Sequence, residues 1–420
     1  MSSADNLPKA VAANLDAAQQ VFDRCQTLSG ISELDGKIQR TYLTPQHAAA
    51  NDLISQWMSD AQLSTHVDPA GSVVGQSKPD CARTLVMGSH LDTVPNAGAY
   101  DGILGVLLGI QAAQLLNLAD LPFNLELIGF AEEEGVRFGT TLMTSKARAG
   151  QWDEQWWQTQ DSQGTTLAQA FTEFGLSPAD IAKACPAKDL LGYLEVHIEQ
   201  GPVLDGLDLP VGVVTGIAAA RRFKLKLSGQ AGHAGTVPMT MRKDALVGAA
   251  QCVLHADALA RELGIVATVG QLQPTPGAIN VIAGSAELSL DVRSLDINLV
   301  SQFVQSFSTT MDAQLAAMGL GFEMVQIHDA DAALCAPMLQ AAFANEISDL
   351  GLEPHHLSSG AGHDAMVMAD LCDIGMLFVR CAGGVSHHPS ESVTVADVAW
   401  ALTVLVNTIQ QLANTHDHTS

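Results

Sequence analysis

The chain has 420 residues, 47% of them hydrophobic, which is too long for one ordinary core and fits two domains of typical size. Forty-five acids against twenty bases leave a formal net charge of -25, a balance that opposes binding to nucleic acid or to an anionic membrane surface. Seven cysteines, at 25, 81, 185, 252, 335, 372 and 381, are odd in number and hold no Cys-x-x-Cys pair, which argues against a disulfide framework and for a reduced, cytoplasmic setting.

Taken in chain order, the amino terminus has no basic start followed by an apolar stretch, so no signal peptide is expected. No run of about eighteen apolar residues reads as a membrane span. The first chemical feature is Met87-Gly-Ser-His-Leu-Asp-Thr-Val-Pro95. The apolar, β-prone residues Leu85, Val86 and Met87 predict a buried parallel strand, which places His90 and Asp92 just beyond its carboxyl end. Ligand pockets of open α/β sheets lie at such ends. Asp101 follows at a glycine turn, and a second predicted strand over 125–130 runs directly into Glu132, Glu133 and Glu134. Three adjacent carboxylates repel one another, and a bound dication would relieve that cost. Taken alone, each cluster is also compatible with an ordinary solvated acidic loop.

Trp152, Trp156 and Trp157 suggest a helix face packed against the catalytic sheet. Tyr193-Leu-Glu-Val-His-Ile-Glu-Gln-Gly-Pro202 then sets His197 and Glu199 in a β-like run that stops at Gly-Pro. From about residue 218 the pattern changes: an alternating strand over 223–228, a long apolar helix over 244–263, strands near 265–269 and 286–292, a helix over 297–318 and a strand over 322–327. Alternation implies one solvated sheet face, so this region reads as a compact antiparallel α+β insertion. The chain then returns to the first domain, with a strand over 374–379, the loop Gly383-Gly-Val-Ser-His-His-Pro-Ser-Glu391 and an amphipathic core helix over 396–412. The expected fold is thus α/β: a mixed-sheet catalytic domain of residues 1–217 and 330–420 with a smaller domain of 218–329, hinged near 216–220 and 329–331.

His90, Asp92, Asp101, Glu133, Glu134, His197 and the paired histidines 387 and 388 supply imidazole and carboxylate without thiolate, a set suited to zinc, manganese or a related ion in a hydrolytic site. Together they are enough for two metal ions. The motifs Arg40-Thr-Tyr-Leu-Thr-Pro45, Glu132-Glu-Glu-Gly-Val-Arg-Phe138, Gly192 to Leu204, Gly232-His-Ala-Gly-Thr-Val-Pro-Met239, Ser359-Gly-Ala-Gly-His-Asp-Ala-Met366 and Gly375-Met-Leu-Phe-Val-Arg380 carry a further likeness. Over essentially the whole chain the sequence resembles the amidohydrolase branch of the dinuclear metallopeptidase superfamily. That branch holds N-carbamoyl-L-amino acid hydrolases, β-ureidopropionases and allantoate amidohydrolases, and the likeness is greatest to the last in their plant form.

The resemblance implies that His90, Asp101, Glu134, His197 and His387 hold two divalent ions, with Asp101 shared between them. Manganese is the metal it suggests; zinc, cobalt or nickel are alternatives. Glu133 would be the general base, and the Asp92 carboxylate would orient His90. His387 is taken as the ligand because the family pattern runs Gly, aliphatic, Ser, His, any residue, Pro, which leaves His388 one position away as the alternative. The inserted domain would be a lid that also forms a homodimer. Within it Arg293 and Asn280 would bind a substrate carboxylate, and His233 would stabilise the reaction intermediate across the dimer interface. Gln200, Gly362 and His363 would complete the pocket. For Arg293 a surface ion pair with Asp291 or Asp296 is the competing reading. The implied reaction is hydrolysis of the ureido group of allantoate, with an N-carbamoyl-L-amino acid as the alternative substrate. Two departures from the family pattern stand near these motifs: Ser72 where relatives carry asparagine, and His388 where they carry a smaller residue.

Overall fold

A computed structural model describes residues 7–81, 83–185 and 189–417 and divides the chain into two compact units, Met1–Gly216 with Leu334–Ser420, and Ile217–Ala333. These boundaries fall within four residues of those expected from the change of pattern near 218 and 330.

The first unit is built on a mixed sheet. Its four central strands lie in the order Asn124–Phe130, Arg83–His90, Asp189–Ile198 and Ile374–Val379, and neighbours among them run parallel. Antiparallel strands extend the sheet on both sides, Val73–Gln76 and Ser64–Val67 beyond the first and Val211–Ile217 beyond the last. Every residue of Asn124–Phe130 and of Ile374–Val379 is buried, as in strands covered on both faces; the second is wholly apolar, and the first carries the buried polar residues Asn124 and Glu126. The helix Ile103–Leu115 is apolar on all sides and buried from Ile103 to Ala113, as a helix enclosed by other elements must be. Gly105 lets it approach the sheet closely, because a methyl group there would overlap the Val196 carbonyl. The helix Val395–Asp417 is long and apolar enough by composition to cross a membrane, contrary to the sequence reading. An 18-residue window of its stretch Val395–Thr415 is 72% buried within the fold, with Val398, Leu402, Leu405 and Ile409 fully enclosed, so it serves as core.

The tryptophans depart from expectation. Glu154–Gln158 is a short 3-10 helix, and Trp157 packs with Phe171, Tyr42 and Phe138 in a cluster separate from the one under the sheet. Trp152 and Trp156 are only half-buried.

The second unit is an antiparallel sheet in the order Leu272–Thr275, Ser285–Ser294, Ala219–Ser228 and Gly321–Ala330, with Val266–Thr268 also paired to Ser285–Ser294. One face, carrying Phe223, Leu225, Leu227, Leu288, Leu290 and Val292, is buried with residues of the helices Ala245–Leu263 and Ile297–Ala317. The alternate residues face solvent and pair across strands: Arg222 with Asp291, Lys224 with Glu287, Lys226 with Glu323. Asp244 and Asp296 cap the two helices through side-chain acceptors, which fixes where each begins.

Candidate metal centre

Four parallel strands end on one edge of the sheet, and the loops after them converge there. The register pairs His90 with Phe130 and His197 with Phe378, so histidines and carboxylates reach the same edge from strands far apart in sequence. Asp101 comes from the turn before the helix Ile103–Leu115. Gly102 in that turn has φ +70 and its Cα faces the His90 imidazole, where any methyl group would overlap the ring. Glycine is therefore required twice over, for its conformation and for its size.

Asp101 lies between two groups of side chains. His90, Asp101 and His197 form one group, and Asp101, Glu134 and His387 the other; in each the potential ligand atoms lie within 4.8 Å of one another. Asp101 Oδ1 is 3.3 Å from His197 Nε2 and 3.8 Å from His90 Nε2, while its Oδ2 is 3.1 Å from His387 Nε2. His387 Nε2 is also 3.2 Å from Glu134 Oε1. His90 Nδ1 lies 3.0 Å from the Asp92 carbonyl, and His197 Nδ1 2.9 Å from the Ile198 carbonyl. If each Nδ1 donates to its carbonyl, both Nε2 atoms present lone pairs to Asp101. Asp101 Oδ1 and His197 Nε2 are buried and accept or donate no hydrogen bond. Two lone pairs facing each other at this distance leave a place that a cation fills well.

The electrostatics point the same way. Burial disfavours a charged His90, yet Glu133, Asp92, Asp101 and Glu134 together push it well above the ordinary histidine range. His387 is pushed up to about 10, first by its hydrogen bonds with Asp101 and Glu134. Burial raises Asp101, but the His387 hydrogen bond and the charges of His197 and His90 pull it below the usual carboxylate range. Each position that attracts a proton so strongly suits a divalent ion equally well.

Glu133 is buried beside both groups. Burial chiefly, helped by the charge of Glu134, holds its carboxyl well above the usual carboxylate range, with His90 pulling the other way. An ideal Cβ on Gly362 would lie 3.6 Å from Glu133 Oε1, so the glycine leaves room against that carboxylate. The two groups differ in access: the His90 and His197 side chains are 3% and 1% exposed, that of His387 is 48% exposed, and the opening to solvent is on the second side.

Several expected roles change. The Asp92 carboxylate lies 3.7 Å from His90 and accepts instead the backbone N–H groups of Glu133 and Glu134 at 3.2 and 3.1 Å. Asp92 thus orients His90 through its carbonyl, and its side chain ties the strand end after His90 to the turn holding Glu133. Glu199 caps the helix Val203–Leu207 by accepting from Val203 and Leu204 N–H. Gln200, expected at the substrate, donates to Asp101 Oδ2 at 2.9 Å. His363 is 1% exposed, 2.7 Å from Ser359 Oγ, with its ring 4.5 Å from that of His197, and so lies behind His197 rather than in an open pocket. Of the paired histidines, His387 meets Asp101 and Glu134, whereas His388 is exposed and bonded to Ser390. Ser72 is buried, its N–H held by Asp68 Oδ1.

In the second unit, His233 and Asn280 are neighbours: His233 pairs with Val281, and Ala234 N–H donates to the Asn280 carbonyl. Arg293 makes the ion pair that was its competing reading, with Nε and an Nη of its guanidinium on the two oxygens of Asp291 at 2.7 and 2.9 Å.

Sequence reasoning missed three supporting residues. Glu195 is fully buried and accepts from Ser89 Oγ, Tyr193 Oη and Ala365 N–H behind His197. Its signal was the alternation Tyr193, Glu195, His197, which places all three on one face of a strand. Arg40 donates to the Leu91 carbonyl, and Arg137 to the carbonyls of Tyr42 and Leu43. Both arginines stand in quoted motifs, and together they lash residues 40–43 to the loops carrying Asp92 and Glu133.

A sheet edge with two cation-ready groups sharing one carboxylate and a buried glutamate beside them defines a metal-dependent hydrolase site. The chain belongs to Peptidase family M20/M25/M40, which it matches over residues 86–411. It is 39% identical to a probable allantoate deiminase of Oryza sativa subsp. japonica, over 93% of this chain and 87% of that one. It is 36% identical to an N-carbamoyl-L-amino acid amidohydrolase of Geobacillus stearothermophilus, over 94% of this chain and 98% of the relative. Among solved structures, an amidase of the hydantoinase/carbamoylase family from Burkholderia multivorans matches with a TM-score of 0.87 at 29% identity, covering 94% of this chain and 98% of that one.

Proposed function

We propose that this protein is an allantoate amidohydrolase that hydrolyses the ureido group of allantoate, releasing ammonia and carbon dioxide. The observation that carries the chemistry is the buried Glu133 carboxylate beside two ligand groups joined through Asp101. The choice of allantoate is supported by the 39% identity to the probable allantoate deiminase of Oryza sativa subsp. japonica. N-Carbamoyl-L-amino acids are the second reading, favoured by the 36% identity to the Geobacillus enzyme.

His90, Asp101, Glu134, His197 and His387 would hold two divalent ions, manganese before zinc, cobalt or nickel. Such ions polarise a carbonyl oxygen and lower the pKa of water, so that attack on a planar ureido carbon becomes feasible at neutral pH. Glu133 takes the proton from the attacking water and returns it to the departing nitrogen. Its raised affinity for a proton suits that exchange, and Gly362 leaves space for the substrate beside it. Gln200 and Asp92 hold Asp101 and the Glu133 turn in place. The carbamate released breaks down to ammonia and carbon dioxide.

In the second unit, Arg293 and Asn280 would bind the substrate carboxylate, a task for which a planar guanidinium is suited. Arg293 would then exchange or share its Asp291 partner. His233 would act across a homodimer formed by this unit, a reading supported by its exposed Met239, Met241, Leu254 and Ile279. The strongly acidic surface favours small-molecule chemistry over nucleic acid or membrane partners, and seven unpaired cysteines accord with a reducing cytoplasm. The test is parallel assay with allantoate and N-carbamoyl-L-amino acids at saturating manganese. Turnover of allantoate is expected; turnover of carbamoyl amino acids alone would assign the protein to the second reading.

A further inference from the structure

The shared carboxylate is held by more than its neighbours in the site. Glu391, 5% exposed and 290 residues away in sequence, accepts the backbone N–H of Tyr100 at 2.8 Å and of Asp101 at 3.0 Å, both on Oε1. Its Oε2 lies 3.2 Å from Ser386 Oγ, and that hydroxyl lies 2.8 Å from Asp101 Oδ2. Glu391 N–H in turn donates to the His388 carbonyl at 3.0 Å, which closes the loop that carries His387. One side chain therefore fixes the main chain of Asp101, shares a hydroxyl with the Asp101 carboxylate and belongs to the same loop as His387. Gly98 packs directly on it, because a methyl group there would overlap the Glu391 carboxylate.

We propose that Glu391, with Ser386, is the positioning residue of the metal centre: it sets where Asp101 stands between the two ligand groups and couples that position to the His387 loop. The inference rests on the metal-hydrolase reading above. An acceptor is what the geometry requires, since two main-chain N–H groups converge on a single oxygen. The amide oxygen of glutamine meets that requirement and its NH2 can donate to Ser386 Oγ, whereas alanine leaves two buried N–H groups unpaired.

The experiment is manganese titration of chelator-stripped full-length protein by calorimetry, with elemental analysis of the reloaded protein. Thermal melts of the metal-free variants run alongside. Wild type is expected to bind two ions; no binding would remove the parent reading itself rather than this one. Glu391→Ala should bind manganese about 10- to 100-fold more weakly, the usual cost of losing an outer partner of a ligand. Glu391→Gln should return close to wild type. Gly98→Ala, which leaves Glu391 in the sequence but displaces its carboxylate, should weaken binding as Glu391→Ala does. If Glu391→Ala fails to fold, the Gln and Gly98 variants carry the test. Wild-type affinity in Glu391→Ala or Gly98→Ala, or a loss in Glu391→Gln as large as in Glu391→Ala, overturns the proposal.

Discussion

In the first unit each proposed ligand comes from the end of a buried strand or from the turn beside it, and partners such as Asp92, Gln200 and the Ile198 carbonyl hold it in place. In the second unit the candidates are more accessible and their bonds are local: Arg293 pairs with Asp291 two residues away, and His233 Nδ1 accepts from Gly235 N–H. A site assembled from separate strands has a geometry before anything binds. Residues bonded to close neighbours acquire a function from what they meet. The difference predicts that substitutions in the first unit alter metal binding and chemistry, whereas those in the second alter substrate affinity and association.

The sharpest break would come from Asp101→Ala. It removes the one ligand common to both groups, so both ions and all turnover above background should be lost; two ions retained would dissolve the idea of a shared carboxylate. Glu133→Gln should keep both ions while kcat falls roughly 10²- to 10⁴-fold, the range of general base catalysis. Steady-state kinetics with metal analysis separate the two variants, and a wild-type rate would remove Glu133 as the base. Gly102→Ala should act like a damaged ligand, because its methyl group forces the His90 ring aside, and manganese affinity measured by titration should drop about tenfold or more.

Arg293→Ala sharpens the comparison from the other side. Loss of a charged hydrogen-bond donor to a carboxylate should raise KM about ten- to hundredfold with kcat little changed. An unchanged KM would remove the substrate role of Arg293. The smallest effect expected on a single subunit's ligand groups is that of Leu254→Glu on the exposed face of the helix Ala245–Leu263. Sedimentation should show a dimer become a monomer while the metal content stays at two; a wild-type species of monomer mass would remove the dimer from the account.

What was legible in the sequence follows the same division. The strands over 125–130 and 374–379 could be read almost to the residue, because burial on both faces leaves a mainly apolar run, broken in the first only by Glu126, which pairs with Arg148. The helices expected over 244–263 and 297–318 match Ala245–Leu263 and Ile297–Ala317 to within one residue at each end. His90, Asp101, Glu134, His197 and His387, singled out in the sequence by their residue types and by the family resemblance, stand together in the candidate groups of the structure. The partners behind them were not legible. That the Asp92 carboxylate serves backbone N–H groups, or that Glu391 reaches Asp101, depends on contacts spanning 41 and 290 residues, and nothing local encodes them. The tryptophan cluster was misplaced for a similar reason: aromatic residues announce burial but not which core they join.

Elemental analysis of the purified chain, stripped by chelation and reloaded with excess manganese, tests the central claim most directly when turnover is followed in the same samples. Two ions per chain are expected, with activity abolished on stripping and restored on reloading. Metal-free protein that keeps its full rate, or reloaded protein that holds no ion, would contradict the account.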